Sequence, residues 1–346
     1  MSSSGETMTA VTITGPGAGA VAQVPVVEPG HGEVRIRVRY TGMCGTDTHL
    51  LTGHSFYLEH GFQTYPFVFG HEYVGTVSAT GAGVEELAVG DRVVGHTMVP
   101  CHRCDTCQRS RPHLCRNLKE VGLRFIQGAA AEFVTVPEFA VSVLPEPVSF
   151  EAAVLVEPGV AAYRAGARLQ LTAVDRVAVI GSGTLGLLAM LFARLVADRV
   201  EVVGLSDSEL AFASELGADA TWRPDQLTGE RFTAVIEASG SPRGLQTAIE
   251  IADLGARIAV IGLPPNPVQV DQTALVLKDL TLHGVLHGLD CYEDVIALLA
   301  SRAVDPTPLI AQIVEPAQAL AALSAGFEPG TRRAPKTLIR FSADDT

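Results

Sequence analysis

VAVIGSGTLG, residues 177–186, is a short apolar run that breaks into Gly181-Ser-Gly-Thr-Leu-Gly186 and opens a second apolar stretch reaching residue 197. The glycines fit the pattern G-x-G-x-x-G. Alone that pattern is weak, but here it comes after a strand and precedes a helix, the context that gives it meaning. Gly181 permits a tight turn, Gly183 lets the backbone approach a pyrophosphate, and Gly186 lets the helix pack against the strand. Ser182, Thr184 and Leu185 complete the loop, and the helix N-terminus then faces the phosphates. The bland alternative is a glycine-rich turn in some other α/β domain.

The chain beyond residue 197 makes that alternative weaker. A strand is expected at 200–203, a helix at 208–216 ending in Gly217, a strand at 234–237, a helix at 242–252 and a strand at 257–261. Such alternation implies a parallel sheet wound on both faces, an α/β dinucleotide-binding domain.

The chain before the loop has a different texture. VRIRVRY at 34–40 alternates as a strand does, and strand-like runs recur at 73–78, 92–95 and 132–136. The first 150 residues therefore read as β-rich. Residues 1–10 read as a frayed tail. After a helix near 292–301, the chain closes on an apolar strand at 337–341 and is expected to return to the first domain. These patterns set the boundaries: tail 1–10, β-rich domain 11–159, dinucleotide domain 160–295, return segment 296–346. A length of 346 residues is enough for two large cores.

The formal charge is −13, spread along the chain with no basic stripe, which argues against a nucleic-acid role. MSSSGETMTA lacks a basic n-region and an apolar core, so no signal peptide is expected. The longest apolar stretch, 185–197, is broken by Arg194 and is too short to span a bilayer. A cytosolic protein is expected, and there clustered cysteines bind metal more often than they form disulfides.

Cys101, Cys104, Cys107 and Cys115 make such a cluster, spaced C-x2-C-x2-C-x7-C within the lobe 100–116. Four thiolates satisfy tetrahedral Zn²⁺ and leave no open position, so this site stabilises a loop. A second constellation is open. Cys44 stands in GMCGTDTH (42–49), His71 and Glu72 in FGHEYVG (69–75), and Glu157 in VEPGVAAY (156–163). Thiolate, imidazole and carboxylate make a competent zinc site with room for substrate. Thr46 and His49 come after Cys44 at intervals suited to carrying a proton from an alcohol to solvent. Each residue has a plainer reading: a buried thiol, a satisfied core histidine, a helix-capping glutamate. Their co-occurrence with the lobe and the glycine loop favours the metal.

The second strand of the alternating half should end in an acid for the ribose 2′-OH of NAD. It reads Val200-Glu-Val-Val-Gly204, so Gly204 takes that place. Ser206 could bond a 2′-phosphate and Arg223 could approach from the next loop, while Asp207 would oppose one. The balance favours NADP or the use of both dinucleotides.

With CGTDTH, GHEYVGTV, GDRVVGH, the cysteine lobe and GSGTLG in this order, residues 11–342 resemble the zinc-dependent medium-chain dehydrogenase/reductases, the alcohol dehydrogenase superfamily. The resemblance implies a GroES-like catalytic domain in two segments with a Rossmann domain inserted, and a cleft holding the nicotinamide beside the zinc. It implies two zinc ions per chain. Cys44, His71 and Glu157 match ligand positions, Glu72 the acid by or on the metal, and Thr46 and His49 the proton relay. Ser239, Gly262 and Leu263 join the glycine loop in holding the cofactor. A homodimer or homotetramer is also implied. Glu157-Pro158 stands where a second cysteine would be, as in the sorbitol-type and threonine dehydrogenase branch.

The implied activity is hydride transfer between NAD(P) and a secondary alcohol or ketone of a polyol, cyclitol, sugar or amino-alcohol. A primary-alcohol or aldehyde dehydrogenase is a second reading, and a zinc-free NADPH-binding protein a third. Phe56, Tyr57, His60, Phe125 and His287 are expected to line the pocket, which the loop 52–66 helps to shape.

Overall fold

The computed structural model describes residues 5–264, 266–326 and 334–342. It divides into two compact units. The first takes in the described parts of Met1–Glu157, Gln312–Gly326 and Lys336–Thr346; the second takes in the described parts of Pro158–Ala311 and Phe327–Pro335. The chain thus leaves its first unit after Glu157 and re-enters it at Gln312, later than the residue 296 expected from sequence. Among the described residues no helix is long and apolar enough to cross a membrane.

The first unit is β-rich, as its alternating runs predict. The expected tail is shorter than ten residues, because a strand already begins at Thr7 and runs to Gly15. It pairs antiparallel with Ala18–Pro25, and Thr12 and Ile13 pair with Val68 and Phe67. Met8, Ala10, Val11 and Ile13 are buried, so burial of these apolar side chains holds this segment in place.

A second sheet sets the site. Its order runs Val141–Val143, Arg92–Gly95, Glu72–Thr80, Glu33–Gly42, Lys336–Arg340, Ile310–Val314, with Phe133–Pro137 also paired to Glu33–Gly42. The Glu33–Gly42 strand is antiparallel to all three of its partners. In register, Gly42 lies opposite Glu72 on one side and Leu338 on the other. Three distant parts of the chain therefore meet at one row of the sheet. Gly42 is required there: a Cβ would fall 2.2 Å from Glu72 Oε2 and 2.9 Å from Val154 Cγ1.

The second unit is the wound parallel sheet. Its strands lie in the order Ala220–Trp222, Arg199–Val203, Arg176–Ile180, Phe232–Glu237, Ala252–Val260, Thr281–Gly284, all parallel. The helices Thr184–Ala193, Asp207–Glu215 and Gly244–Ile251 come directly after the strands Arg176–Ile180, Arg199–Val203 and Phe232–Glu237. Val177, Val179, Val200, Val202, Ala234 and Ile236 are fully buried, as strands covered on both faces require.

One carboxylate in this sheet is heavily engaged. Glu201 receives Arg176 Nε at 2.7 Å, Arg199 Nε at 2.5 Å and Trp222 Nε1 at 2.6 Å. Burial alone would raise its pKa. The three donors outweigh burial and hold the carboxyl below its ordinary range.

Candidate functional site

The catalytic constellation is built at the ends of the strands that meet at Gly42. Cys44 lies two residues beyond that glycine and caps the helix Gly45–Thr52. Glu72 opens the neighbouring strand and His71 immediately precedes it. The ligand atoms of Cys44, His71 and Glu72 all lie within 4.8 Å of one another. Glu157 is buried close by but is not in that tight group. Its Oε1 accepts a hydrogen bond from Thr97 Oγ1 at 2.5 Å, and Thr97 Oγ1 also lies 3.0 Å from His71 O.

Two side chains that the sequence reading missed hold these groups. Asp47 is fully buried. Its Oδ2 accepts from Cys44 N at 2.9 Å, and its Oδ1 lies 3.4 Å from His71 Nδ1. A carboxylate on one ring nitrogen leaves the other for a metal and fixes the ring's orientation. Burial works against a charged His71, but Asp47 and Cys44 more than offset it and hold its pKa well above the ordinary value. The Asp three residues after Cys44 in CGTD is the signal that was available in the sequence.

The second is Lys336, 1% exposed, on the returning strand. Its Nζ donates to Glu72 Oε2 at 2.5 Å and to Met43 O at 3.0 Å. Burial alone would lower its pKa; Glu72 and Cys44 reverse the balance, so the ammonium form is retained.

The donor set fits a dication. Cys44, Asp47, Glu72 and Glu157 bring up to four negative charges together, against which the metal-free site sets Lys336 and the proton that His71 retains. Burying that many like charges is strongly unfavourable unless a cation joins them. Thiolate, imidazole and carboxylate are ligands that zinc accepts.

The proton-path residues share one helix. Thr46 is half-buried, with Oγ1 3.7 Å from Cys44 Sγ. His49 is exposed one turn further on. Of the expected lining residues, Phe56, His60 and Phe125 belong to an aromatic cluster joined through Phe62. Tyr57 points inward. Its hydroxyl lies 3.5 Å from Glu120 Oε1, and Glu120 Oε2 lies 3.0 Å from Arg124 Nε. Burial first, and Glu120 next, raise the phenol well above its ordinary pKa, with Cys44 and Glu157 adding to the effect. Tyr57 therefore keeps its proton and feels the charge of the metal ligands. His287 lies in the second unit, against Tyr292.

The cysteine lobe is assembled as its spacing predicts. The Sγ atoms of Cys101, Cys104, Cys107 and Cys115 lie within 4.8 Å of one another, and all are free thiols. Cys104 Sγ is 3.5 Å from Cys107 Sγ and 3.8 Å from Cys115 Sγ. Hydrogen bonds led by Thr106 bring Cys104 down to about 5, and bonds led by the Arg103 backbone bring Cys101 to about 7. Burial first, then Cys104, pushes Cys107 up to about 12. Left to themselves the four compete for charge; a shared dication lets all ionise.

In the second unit the glycine loop forms a cradle. Gly181 has φ +115°, and a Cβ there would sit 3.0 Å from Ser239 N. Gly183 caps the helix Thr184–Ala193 with no side-chain bond, and a Cβ on it would meet open space. A Cβ at Gly186 would fall 1.9 Å from Gly181 O, so only glycine allows this approach of helix to loop. Uncapped helix N–H groups beside open space suit a pyrophosphate. Ser239 and Gly262 lie in adjoining loops tied to one buried acid, Glu237: Ser239 N donates to its Oε1 at 2.9 Å, and Gly262 N to its backbone carbonyl at 3.0 Å. Leu263, next to Gly262, is 80% exposed.

Comparison with known proteins agrees with both halves. Residues 30–146 match the alcohol dehydrogenase GroES-like domain family, and residues 184–301 the zinc-binding dehydrogenase family. The chain is 33% identical to L-threonine 3-dehydrogenase of Aeromonas hydrophila subsp. hydrophila over 84% of its own length and 87% of that enzyme's. The crystal structure of RspB from E. coli CFT073, complexed with NADH, superposes with a TM-score of 0.89 at 30% identity, covering 97% of this chain and 100% of that one. A putative zinc-binding dehydrogenase from Sinorhizobium meliloti 1021, bound to NADP, also gives 0.89, at 27% identity, covering 97% of this chain and 99% of that one.

Proposed function

The chain belongs to the zinc-dependent medium-chain dehydrogenase/reductase family and is an NAD(P)-dependent alcohol dehydrogenase, and on that premise we propose that its substrate is a secondary alcohol, or the matching ketone, carried on a polyol, cyclitol, sugar or amino-alcohol. The observation that carries this reading is Tyr57. A protonated hydroxyl, backed by Glu120 and Arg124, stands within electrostatic reach of Cys44 and Glu157. A polar side chain beside the metal ligands offers a hydrogen-bonding partner that a second hydroxyl or an amine on the substrate can use and a plain alkyl alcohol cannot. Likeness to an L-threonine 3-dehydrogenase supports the same class.

Cys44, His71 and Glu72, with Glu157 at hand, would hold the catalytic zinc, which when bound would supply Lewis acidity toward the substrate oxygen, and the dinucleotide would supply the hydride chemistry. The chain's own contribution is positioning and proton handling. Asp47 orients His71. Lys336 holds Glu72 and balances its charge. The Thr46 hydroxyl beside Cys44 takes the alcohol proton and passes it on, and His49, exposed on the same helix, delivers it to water.

A cytoplasmic setting suits the six free cysteines. The partner we propose is a second copy, as a homodimer or homotetramer. The edge strand Thr281–Gly284 exposes Leu282, with Val276, Leu277 and Leu286 exposed on flanking segments.

A screen of alcohols and polyols with both nicotinamides, on protein of measured zinc content, tests the reading. Turnover of vicinal diols or amino-alcohols well above that of simple primary alcohols is expected. Primary alcohols as the best substrates would overturn it.

A further inference from the structure

The end of the strand Arg199–Val203 carries no acid, because Gly204 stands there. The structure shows what fills the space. A Cβ on Gly204 would lie 2.8 Å from Ser182 Oγ and 3.0 Å from Leu210 Cδ2. Ser182, buried, is the second residue of the glycine loop, and it donates to Glu209 Oε2 at 2.5 Å. The loop and the strand end are tied together, since Gly181 N bonds Val203 O at 2.8 Å. A carboxylate thus reaches the strand end from the next helix, Asp207–Glu215, through a serine of the phosphate loop.

The features that favoured a 2′-phosphate are already engaged. Ser206 Oγ caps the helix by accepting from Glu209 N, and lies 2.8 Å from Ser208 Oγ. Arg223 is paired with Asp207 at 3.1 Å. With that pair engaged, the carboxylate that reaches the phosphate loop is that of Glu209.

We propose that Glu209 supplies the acceptor for the adenine ribose hydroxyls that the strand end lacks, and that the enzyme therefore selects NAD over NADP. The proposal rests on the dinucleotide reading and reverses the preference that Gly204 alone implies. A half-buried carboxylate accepts strong hydrogen bonds from a ribose diol. It repels a phosphate in the same place, and does so more strongly than an exposed charge screened by salt.

The test is direct binding of NADH and of NADPH to the zinc-loaded full-length protein, by calorimetry and by quenching of its single tryptophan, Trp222, which ends the adjacent strand. NADH should bind at least about tenfold more tightly. Glu209→Gln keeps size and folding and should bring the two within about threefold. Glu209→Lys should favour NADPH, a gain that a purely structural role would not produce. NADPH binding as tightly as NADH in the native protein, or an unchanged ratio in Glu209→Gln, would overturn the proposal. Failure of the folded native protein to bind either dinucleotide would instead overturn the oxidoreductase reading itself.

Discussion

Lys336 Nζ and Glu72 Oε2 lie 2.5 Å apart, and both side chains are withdrawn from water. Removing one partner of such a pair leaves a buried charge unbalanced, which typically costs about 3–5 kcal/mol. Lys336→Met should lower unfolding stability by that order in a denaturant titration. The double variant with Glu72→Gln should recover part of the loss. Equal stability of Lys336→Met and the native protein would mean that Glu72 does not need this cation.

Cys44→Ser or His71→Ala should abolish turnover. Dinucleotide affinity should stay within about twofold of native, because the glycine loop lies in the other unit. Binding titrations beside steady-state rates separate the two effects. Near-native turnover in either variant would remove these residues from the metal site.

In the cysteine lobe the expected loss is of metal and stability, not of chemistry. Cys107→Ser or Cys115→Ser should reduce the zinc content from two per chain to one and lower the melting temperature. The surviving folded fraction should keep its turnover per catalytic zinc. A disulfide between any two of the four in native protein would contradict the assignment.

Thr46→Val removes a hydroxyl while keeping shape, and should cost on the order of 10²-fold in rate. His49→Gln should be milder and should change the pH–rate profile, since solvent replaces a terminal carrier in part. Profiles that superpose on the native one in both variants would exclude this path.

Glu201 gives a pH signature. Its pKa is lower in the folded chain than in the unfolded one, where a glutamate titrates near about 4.3. The unfolded state therefore binds a proton first as pH falls. The stabilisation is fully present above the unfolded value and is lost as pH drops through the folded one. Thermal melts below about pH 4 should fall more steeply for the native protein than for Glu201→Gln.

Much of this architecture was legible because it rests on local patterns. Gly181, Gly183 and Gly186 report a strand–turn–helix within ten residues, and the four lobe cysteines lie within fifteen. Cys44 and His71 were readable from residue type and flanking motif. Lys336 was not: in KTLIR it looks like the polar end of an edge strand, and only the register Leu338–Gly42–Glu72 brings it inward. Glu209 was hidden for a similar reason, being one polar position on a surface helix until its contact with Ser182 is seen. The first four residues of the strand Thr7–Gly15 were read as tail because a Ser/Gly-rich start masked the alternation that begins there.

The pairing of Lys336 with Glu72 also orders events during synthesis. The two residues are separated by 264 positions. A ribosome that has released residue 115 has already delivered every thiol of the lobe, which can take up its ion while the rest is still being translated. Glu72 must wait for its cation until the whole second unit has been made. The lobe and the Lys336–Glu72 pair are therefore completed at different points of synthesis, and a chain truncated before Lys336 would carry all four lobe thiols beside a Glu72 that lacks this cation.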